Sequence, residues 1–378
     1  MNFKNLNIIQ PILNAIETAG YTQPTEIQEL SIPIILNGHD IIGCAQTGTG
    51  KTAAFAIPII QLLQNKPTTS KAIRTLVLTP TRELAVQIND NFKLYKNTLR
   101  ISHMAIFGGV PQRGQVTALK RGADIVIATP GRLLDLIDQG FVNLREVEIL
   151  VMDEADRMLD MGFVNDIKKI LKHIPKKRQT LFFSATMPKN IRSFAQTMLK
   201  EPKEINVSPV SSTTESVTQS IYMVEPREKE QLLIEILRGQ NLNRSLVFTR
   251  TKHGADKLIK TLTRLGVKSA AIHGNKSQSA RQHALQDFRN NKITVLIATD
   301  IAARGIDIDE LSFVINYEMP NVPETYVHRI GRTGRGGNFG EAVSFCSREE
   351  KSELRSIQKL IGFNIPVNHN TSCAFHLS

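Results

Sequence analysis

Three short strings from the first half of the chain return in the second half in the same order: "LVLTPTRELA" (76–85) as "LVFTRTKHGA" (246–255), "AIFGG" (105–109) as "AIHGN" (271–275), and "IVIATPGR" (125–132) as "VLIATDIAAR" (295–304). The paired strings begin 170, 166 and 170 positions apart. One apolar string recurs by chance. Three in register mark a duplication, and a duplicated chain folds as two similar units, each closing its own core. A length of 378 residues agrees, being more than one hydrophobic core usually organises.

The repeats have a definite architecture. Runs rich in β-branched and apolar residues alternate with helical patterns: "DIIGCA" (40–45), "TLVLT" (75–79), "DIVIAT" (124–129), "EILVMD" (148–153), "TLFFSAT" (180–186), "SLVFT" (245–249), "TVLIAT" (294–299) and "SFVINY" (312–317). That alternation predicts an α/β fold in which each domain is a mainly parallel sheet with helices on both faces. Several runs end in Thr, Ser or Asp, where the carboxyl end of a strand borders the ligand crevice of such sheets. Between the repeats, "VSPVSSTTESVTQ" (207–219) is rich in Ser and Thr and reads as a linker. The expected boundaries are a first domain at 1–206, a linker at 207–218, a second domain at 219–368 and a short tail at 369–378.

Charge narrows the partner. Lys plus Arg number 47 against 35 Asp plus Glu, a surplus of 12 that favours a polyanion such as nucleic acid. The three cysteines, Cys44, Cys346 and Cys373, are too few and too scattered for a disulfide framework or a paired metal motif. Cys373 and His376 near the end do not amount to a metal site. No apolar run approaches a membrane span, and "MNFKNLNIIQP" lacks the apolar core of a signal peptide. The expectation is a cytoplasmic protein with no membrane partner.

Chemistry enters at "AQTGTGKT" (45–52), which follows the apolar strand "DIIGC" and precedes the helical run "AAFAIPIIQLLQ". This is the strand, loop and helix order of a phosphate-binding loop. Within it Thr47, Gly48, Thr49 and Gly50 form the loop; the glycines let backbone N–H groups reach phosphate oxygens. Lys51 supplies a point charge for the β and γ phosphates, and the Thr52 hydroxyl is a ligand for Mg²⁺. Ala45 stands where the motif has its first glycine. A metal needs a second acidic element, and "ILVMDEAD" (149–156) offers one at a strand end. Asp153 is the expected Mg²⁺ ligand and Glu154 the base that orients and deprotonates water, while Asp156 holds a partner across the site. The second repeat has "SVTQSIYM" where the first has its phosphate loop, so only one repeat can cradle a triphosphate.

With "DEAD" at 153–156, further strings fall in order along nearly the whole chain. They are Phe3 with "GYTQPTEIQ" (20–28), "PTRELA" (80–85), "GG" (108–109), "TPGR" (129–132), "SAT" (184–186), "VFTRT" (247–251), "QSAR" (278–281), "ATDIAARGID" (298–307) and "HRIGRTGR" (328–335). In this set the chain resembles the DEAD-box RNA helicases, and most closely their bacterial RhlE-type branch. The resemblance implies two tandem RecA-like domains with ATP in the cleft between them and single-stranded RNA across both. It assigns adenine recognition to Phe3, Tyr21 and Gln28, the ring of Phe3 stacking on the base and the Gln28 amide making a two-bond pattern that guanine would violate. It gives Asp307 to the ATP ribose, and Asp156, Ser184, Thr186 and His328 to coupling between the halves.

RNA contacts implied by the same resemblance are Pro80, Thr81, Arg82, Gly109, Thr129, Gly131 and Arg132 in the first half. In the second half they are Thr249, Gln278, Arg281, Thr299 and Arg304. Mixed donors and glycines suit a grip on the backbone. Five tyrosines and no tryptophan argue against a base-stacking platform. No guanine-specific NKxD motif is present, since "NKSQ" (275–278) lacks the Asp.

"HRIGRTGR" poses its own question, because its three arginines and one histidine have no carboxylate among them. Arg332 and Arg335 are expected to act as arginine fingers on the γ-phosphate when the domains close. "NVPETYVHRIGR" (321–332) reads as a helix start capped by Asn321; if the helix continues, His328, Arg332 and Arg335 share one face. Arg329 has no assigned task beyond bracing the second domain. The leading expectation is an ATP-dependent RNA helicase that unwinds short duplexes, with ribosome-assembly or RNA-decay proteins as candidate partners. Its rivals are an ATP-controlled RNA clamp, a DNA-directed helicase and an ATPase acting on a protein.

Overall fold

The computed structural model describes residues 2–45, 48–207, 217–239, 244–303, 311–334 and 340–368, without the side chains of Gln278 and Ile301. Thr47, Arg304, Asp307, Arg335 and the tail 369–378, with Cys373 and His376, lie outside the described residues.

The chain divides into two units, Met1–Val207 and Ser208–Ser378. The first holds β1 (Ile41–Cys44), β2 (Thr75–Leu78), β3 (His103–Ile106), β4 (Ile125–Ala128), β5 (Ile149–Met152), β6 (Gln179–Ser184) and β7 (Lys203–Asn206) in one sheet of order β3-β4-β2-β5-β6-β1-β7. The second holds β8 (Val217–Met223), β9 (Ser245–Thr249), β10 (Ser269–Ile272), β11 (Val295–Thr299), β12 (Phe313–Asn316) and β13 (Gly340–Cys346), in the order β10-β11-β9-β12-β13-β8. All pairings are parallel.

The two orders superpose strand for strand, β10 on β3, β11 on β4, β9 on β2, β12 on β5, β13 on β6 and β8 on β1. The three repeated strings occupy matching strands, so the duplication read from sequence is a duplication of the fold. The repeat extends to helix starts. Thr81 caps the helix Arg82–Lys96 by accepting from Leu84 N, and Thr251 caps the helix Lys252–Arg264 by accepting from Gly254 N.

Each sheet is covered on both faces, as its alternation requires. In β1, Ile41 packs into one cluster with Leu181 and Phe183, while its neighbour Ile42 packs into the other with Phe182 and Leu150. In β9, Leu246 and Phe248 face one cluster and Val247 the opposite one. Because both faces are buried, these strands read as unbroken apolar runs.

Two boundary expectations change. Val207 N donates to Cys44 O (3.0 Å), and β8 already starts at Val217. Parallel pairing therefore takes Val207, Val217 and Thr218 from the expected linker. No helix among the described residues is long and apolar enough to cross a membrane. Cys346 is buried and Cys44 partly so, as small residues at strand ends.

Candidate functional site

The strand ends of the first unit gather the candidate residues along one edge of its sheet. After β1 the chain turns through Gly48 (φ 85°) and Gly50 (φ 90°), left-handed conformations that suit glycine, into the helix Lys51–Asn65. Lys51 is the first residue of that helix and only 6 % exposed. Its ammonium donates to Ala45 O (2.5 Å). Burial holds it below its ordinary pKa, against the pull of Asp153, Glu154 and Asp156. An ammonium at a helix N-terminus is a setting that favours a phosphate.

Gln28 reaches this loop from the helix Glu26–Leu36. Its Nε2 donates to Gly50 O (3.1 Å) and its Oε1 accepts from Thr25 N (3.0 Å). Gln28, 5 % exposed, thus ties the segment 20–28 to the loop at Gly50. Tyr21, from the same segment, is 45 % exposed. Phe3 is placed differently from Tyr21. It lies in the short 3-10 helix Phe3–Leu6, is 4 % exposed and packs in the hydrophobic core.

At the end of β5, Asp153 N donates to Leu78 O (2.9 Å), which fixes the acidic turn to the neighbouring strand. The carboxylate is 3 % exposed, and its Oδ1 is buried without a hydrogen-bond partner. Burial, with Glu154 beside it, pushes the group up to about 7. An acceptor-only oxygen left unsatisfied next to a phosphate loop fits a hard divalent cation. The Thr52 hydroxyl, in the first turn of Lys51–Asn65, fits the same ion.

Glu154 has a left-handed backbone (φ 51°), uncommon for a residue with a side chain and concentrated at functional sites. Its carboxylate is held by Arg157, both side chains being buried. Sequence reasoning missed Arg157, although its i,i+3 spacing from Glu154 was a usable signal. Asp156 is tied to the end of β6. Its Oδ2 accepts from Thr186 N and Thr186 Oγ1 (both 2.9 Å), its N–H donates to Ser184 Oγ (3.3 Å), and Ser184 Oγ donates to Thr186 O (2.7 Å). The acidic turn and the "SAT" turn thus form one hydrogen-bonded unit.

The remaining first-unit candidates cluster on the other half of the same edge, after β2, β3 and β4. Arg82 opens the helix that follows β2, and its guanidinium lies so close to Gly109 that a Cβ there would sit 1.8 Å from Nη1. Arg132 donates from Nη1 and Nη2 to Val110 O (both 3.3 Å). Pro80, Thr81 and Thr129 are buried beside them, while Gly131 is exposed. The sheet order therefore separates a phosphate and metal half (β5, β6, β1) from a basic, glycine-containing half (β3, β4, β2).

In the second unit Thr249 and Thr299 are paired across β9 and β11. Arg281 Nη2 donates to Ala302 O (3.5 Å), just past β11, from a helix that starts at Gln278. The helix Pro323–Ile330 has Val322, not Asn321, at its N-cap, and it ends at Gly331. Thr333 then donates to Leu311 O and bridges to that residue. The shared helical face expected for His328 and Arg332 is therefore absent: Arg332 lies in a turn, 7 % exposed. Glycine's low helix propensity and the Thr333 bridge end the helix early.

The helix after β8 also begins with a lysine, Lys229, the counterpart of Lys51 in the duplicated fold. Its ammonium donates to Glu350 Oε2 (2.5 Å), and the pair is buried. In the second unit a protein carboxylate thus pairs with the lysine at this position.

Residues 25–194 match the family described as DEAD/DEAH box helicase, and residues 228–337 match the helicase conserved C-terminal domain. Over 376 residues the chain is 43 % identical to the DEAD-box ATP-dependent RNA helicase RhpA of Helicobacter pylori, covering 98 % of this chain and 75 % of that protein. It is 41 % identical to DbpA of Bacillus subtilis over 96 % of this chain and 75 % of that protein. Relatives named DeaD and CshA stand at 41 % as well. These names span several branches, so the match reaches the family and not the RhlE-type branch. Among solved structures, Saccharomyces cerevisiae Dbp5 bound to RNA and ADP BeF3 is similar with a TM-score of 0.86 and 29 % identity, over 97 % of this chain and 95 % of that one. A DEAD box protein from Methanococcus jannaschii is 41 % identical with a TM-score of 0.56, over 97 % and 99 %.

Proposed function

This chain belongs to the DEAD-box ATP-dependent RNA helicases, enzymes that couple ATP hydrolysis to work on RNA, and from that premise we propose that it separates short RNA duplexes locally by closing its two domains on ATP and a single strand. The observation that carries the reading is the division of one sheet edge into a phosphate half and a basic half, joined at β2 and β5. ATP and RNA bound side by side on one rigid sheet can report on each other.

In this reading the loop at Gly48–Gly50 and Lys51 hold the phosphates, and Gln28 and Tyr21 meet the base. Asp153 and Thr52 would hold Mg²⁺, which when bound would neutralise charge on the β and γ phosphate oxygens. Glu154 takes the proton of the attacking water, and the Arg157 guanidinium beside it keeps the carboxylate oriented. Arg332, with Arg335, brings positive charge to the γ-phosphate from the second domain, so hydrolysis waits for closure. Arg82, Gly109 and Arg132, with Thr249, Thr299 and Arg281, grip phosphate and ribose groups without reading bases. RNA that bridges both domains favours the closed state, and by linkage ATP favours RNA by the same factor. A bent strand cannot stay paired with its complement.

The experiment is ATPase rate with RNA, DNA or nothing added, beside unwinding of a short RNA duplex. RNA stimulation with ATP-dependent unwinding is expected. Equal stimulation by DNA, or long-lived RNA complexes without unwinding, would replace the reading with a DNA helicase or a clamp. Glu154→Gln should keep ATP and RNA bound and slow turnover by about 10² to 10⁴; a variant as fast as the parent removes Glu154 from its role.

A further inference from the structure

The edge of the first sheet opposite the nucleotide carries charge that this function does not use. Between Lys168 and Arg178 stand Lys168, Lys169, Lys172, Lys176, Lys177 and Arg178, with no Asp or Glu. These six cations equal half of the chain's surplus of 12. The pattern is amphipathic. Ile167, Ile170 and Ile174 are buried, and the five lysines are exposed. None of those lysines makes an ion pair among the described residues.

The run ends at a cleft of about 600 Å³ where β2, β5 and β6 begin. Lys177 and Arg178 form one side of it, Lys66 and Arg145 another. Arg74 and Glu148 cancel as an ion pair of 2.6 Å, which leaves four cations lining the cleft against one carboxylate, Glu146. Arg82 follows β2 and Asp153 follows β5, whereas the cleft precedes both strands. The cleft is therefore a strand length away from the described site, roughly 13 Å at the usual rise per residue.

We infer that this amino edge of the first domain is a second RNA contact, a backbone-directed hold on strand or duplex flanking the segment being unwound. The inference rests on RNA being the substrate. Two features favour RNA over an acidic protein. Exposed lysines present unpaired point charges suited to phosphates. None of the exposed large hydrophobics lies in this segment, so the apolar anchor that a protein interface needs at its centre is missing.

The test replaces Lys168, Lys169, Lys172, Lys176 and Lys177 together by Gln and measures binding, with an ATP analogue present, to single strands of about 10 and about 40 nucleotides over a range of salt. The short strand fits only the carboxyl edge. Expected is about tenfold weaker binding of the long strand, a shallower salt slope by about three, and short-strand binding within about twofold of the parent. Equal losses at both lengths would reduce the patch to a general attractive field, and no loss at either would leave it for an acidic protein; both overturn the inference. A Lys176→Glu, Lys177→Glu pair in the same assay guards against a folding defect. The parent's ATPase with the short strand reports separately on the helicase reading, so either can fail alone.

Discussion

Arg329 and Asp300 form a two-bond ion pair, Nε to Oδ1 at 2.6 Å and Nη2 to Oδ2 at 2.8 Å, at the carboxyl edge of the second sheet, with the Asp300 side chain partly exposed. The Arg329 side chain is 1 % exposed. It also donates to Asn316 Oδ1 (3.1 Å) and Glu318 O (2.7 Å) and lies over the Phe248 ring at 5.0 Å. It thus joins the ends of β9, β11 and β12 to the helix Pro323–Ile330. This answers part of the question posed by "HRIGRTGR": its missing carboxylate comes from another segment. Removing one partner strands the other, so Arg329→Ala should cost about 3–5 kcal/mol in denaturant unfolding of the second domain. Adding Asp300→Ala should recover part of that loss, and strict additivity would contradict the pairing.

Glu350 predicts how the same domain responds to acid. Burial opposes its ionisation, but Lys229 outweighs burial, aided by N–H groups of Ser347 and Met319, so the carboxyl titrates below its ordinary value of 4.5. A depressed folded pKa contributes stability that is fully present above the unfolded value and is lost as pH falls through the folded one. Stability should therefore decline from about pH 4.5 downward by this group. Glu350→Gln should be less stable near neutrality, because the buried Lys229 ammonium then loses its counter-charge, and should lose less on acidification. A variant whose stability falls as steeply as the parent's below that pH would assign the acid response elsewhere.

Much of this was legible in the chain. The repeated strings lie on β2, β3, β4, β9, β10 and β11, and the quoted apolar runs fall on strands with ends shifted by one or two residues, whereas β7, β8 and β13 had no run quoted for them. Strand-end chemistry was legible for Lys51, Asp153, Glu154 and Asp156. Tertiary packing hid the rest. Arg329 finds Asp300 at a separation of 29 residues, which no local pattern reveals. Thr333 finds Leu311 across 22 residues and ends a helix that periodicity would have continued.

Arg332 follows that early helix end, so its position depends on a turn rather than on a helical face. If it acts on the γ-phosphate only in the closed enzyme, Arg332→Ala should lower RNA-stimulated kcat by about 10³ to 10⁵ and leave ATP affinity nearly unchanged. Steady-state kinetics beside equilibrium binding of a nucleotide analogue separates the two. Comparable losses in both would make Arg332 an ordinary binding residue.

Gly109 gives the most specific test of the RNA half of the first domain. Its backbone is left-handed (φ 75°), and a Cβ would stand 1.8 Å from Arg82 Nη1 and 2.3 Å from Cζ. An alanine must therefore strain the backbone and displace the guanidinium together. Gly109→Ala should weaken RNA binding about tenfold, the effect of losing one charged contact of about 1.4 kcal/mol. ATP binding should be unchanged, because Lys51, Asp153 and Gln28 lie on the far side of β2. Arg82→Ala should be equally weak for RNA, and the double variant no weaker than Arg82→Ala alone, since the glycine matters through the arginine it admits. Additive losses would mean that Gly109 meets RNA by itself, through its own N–H.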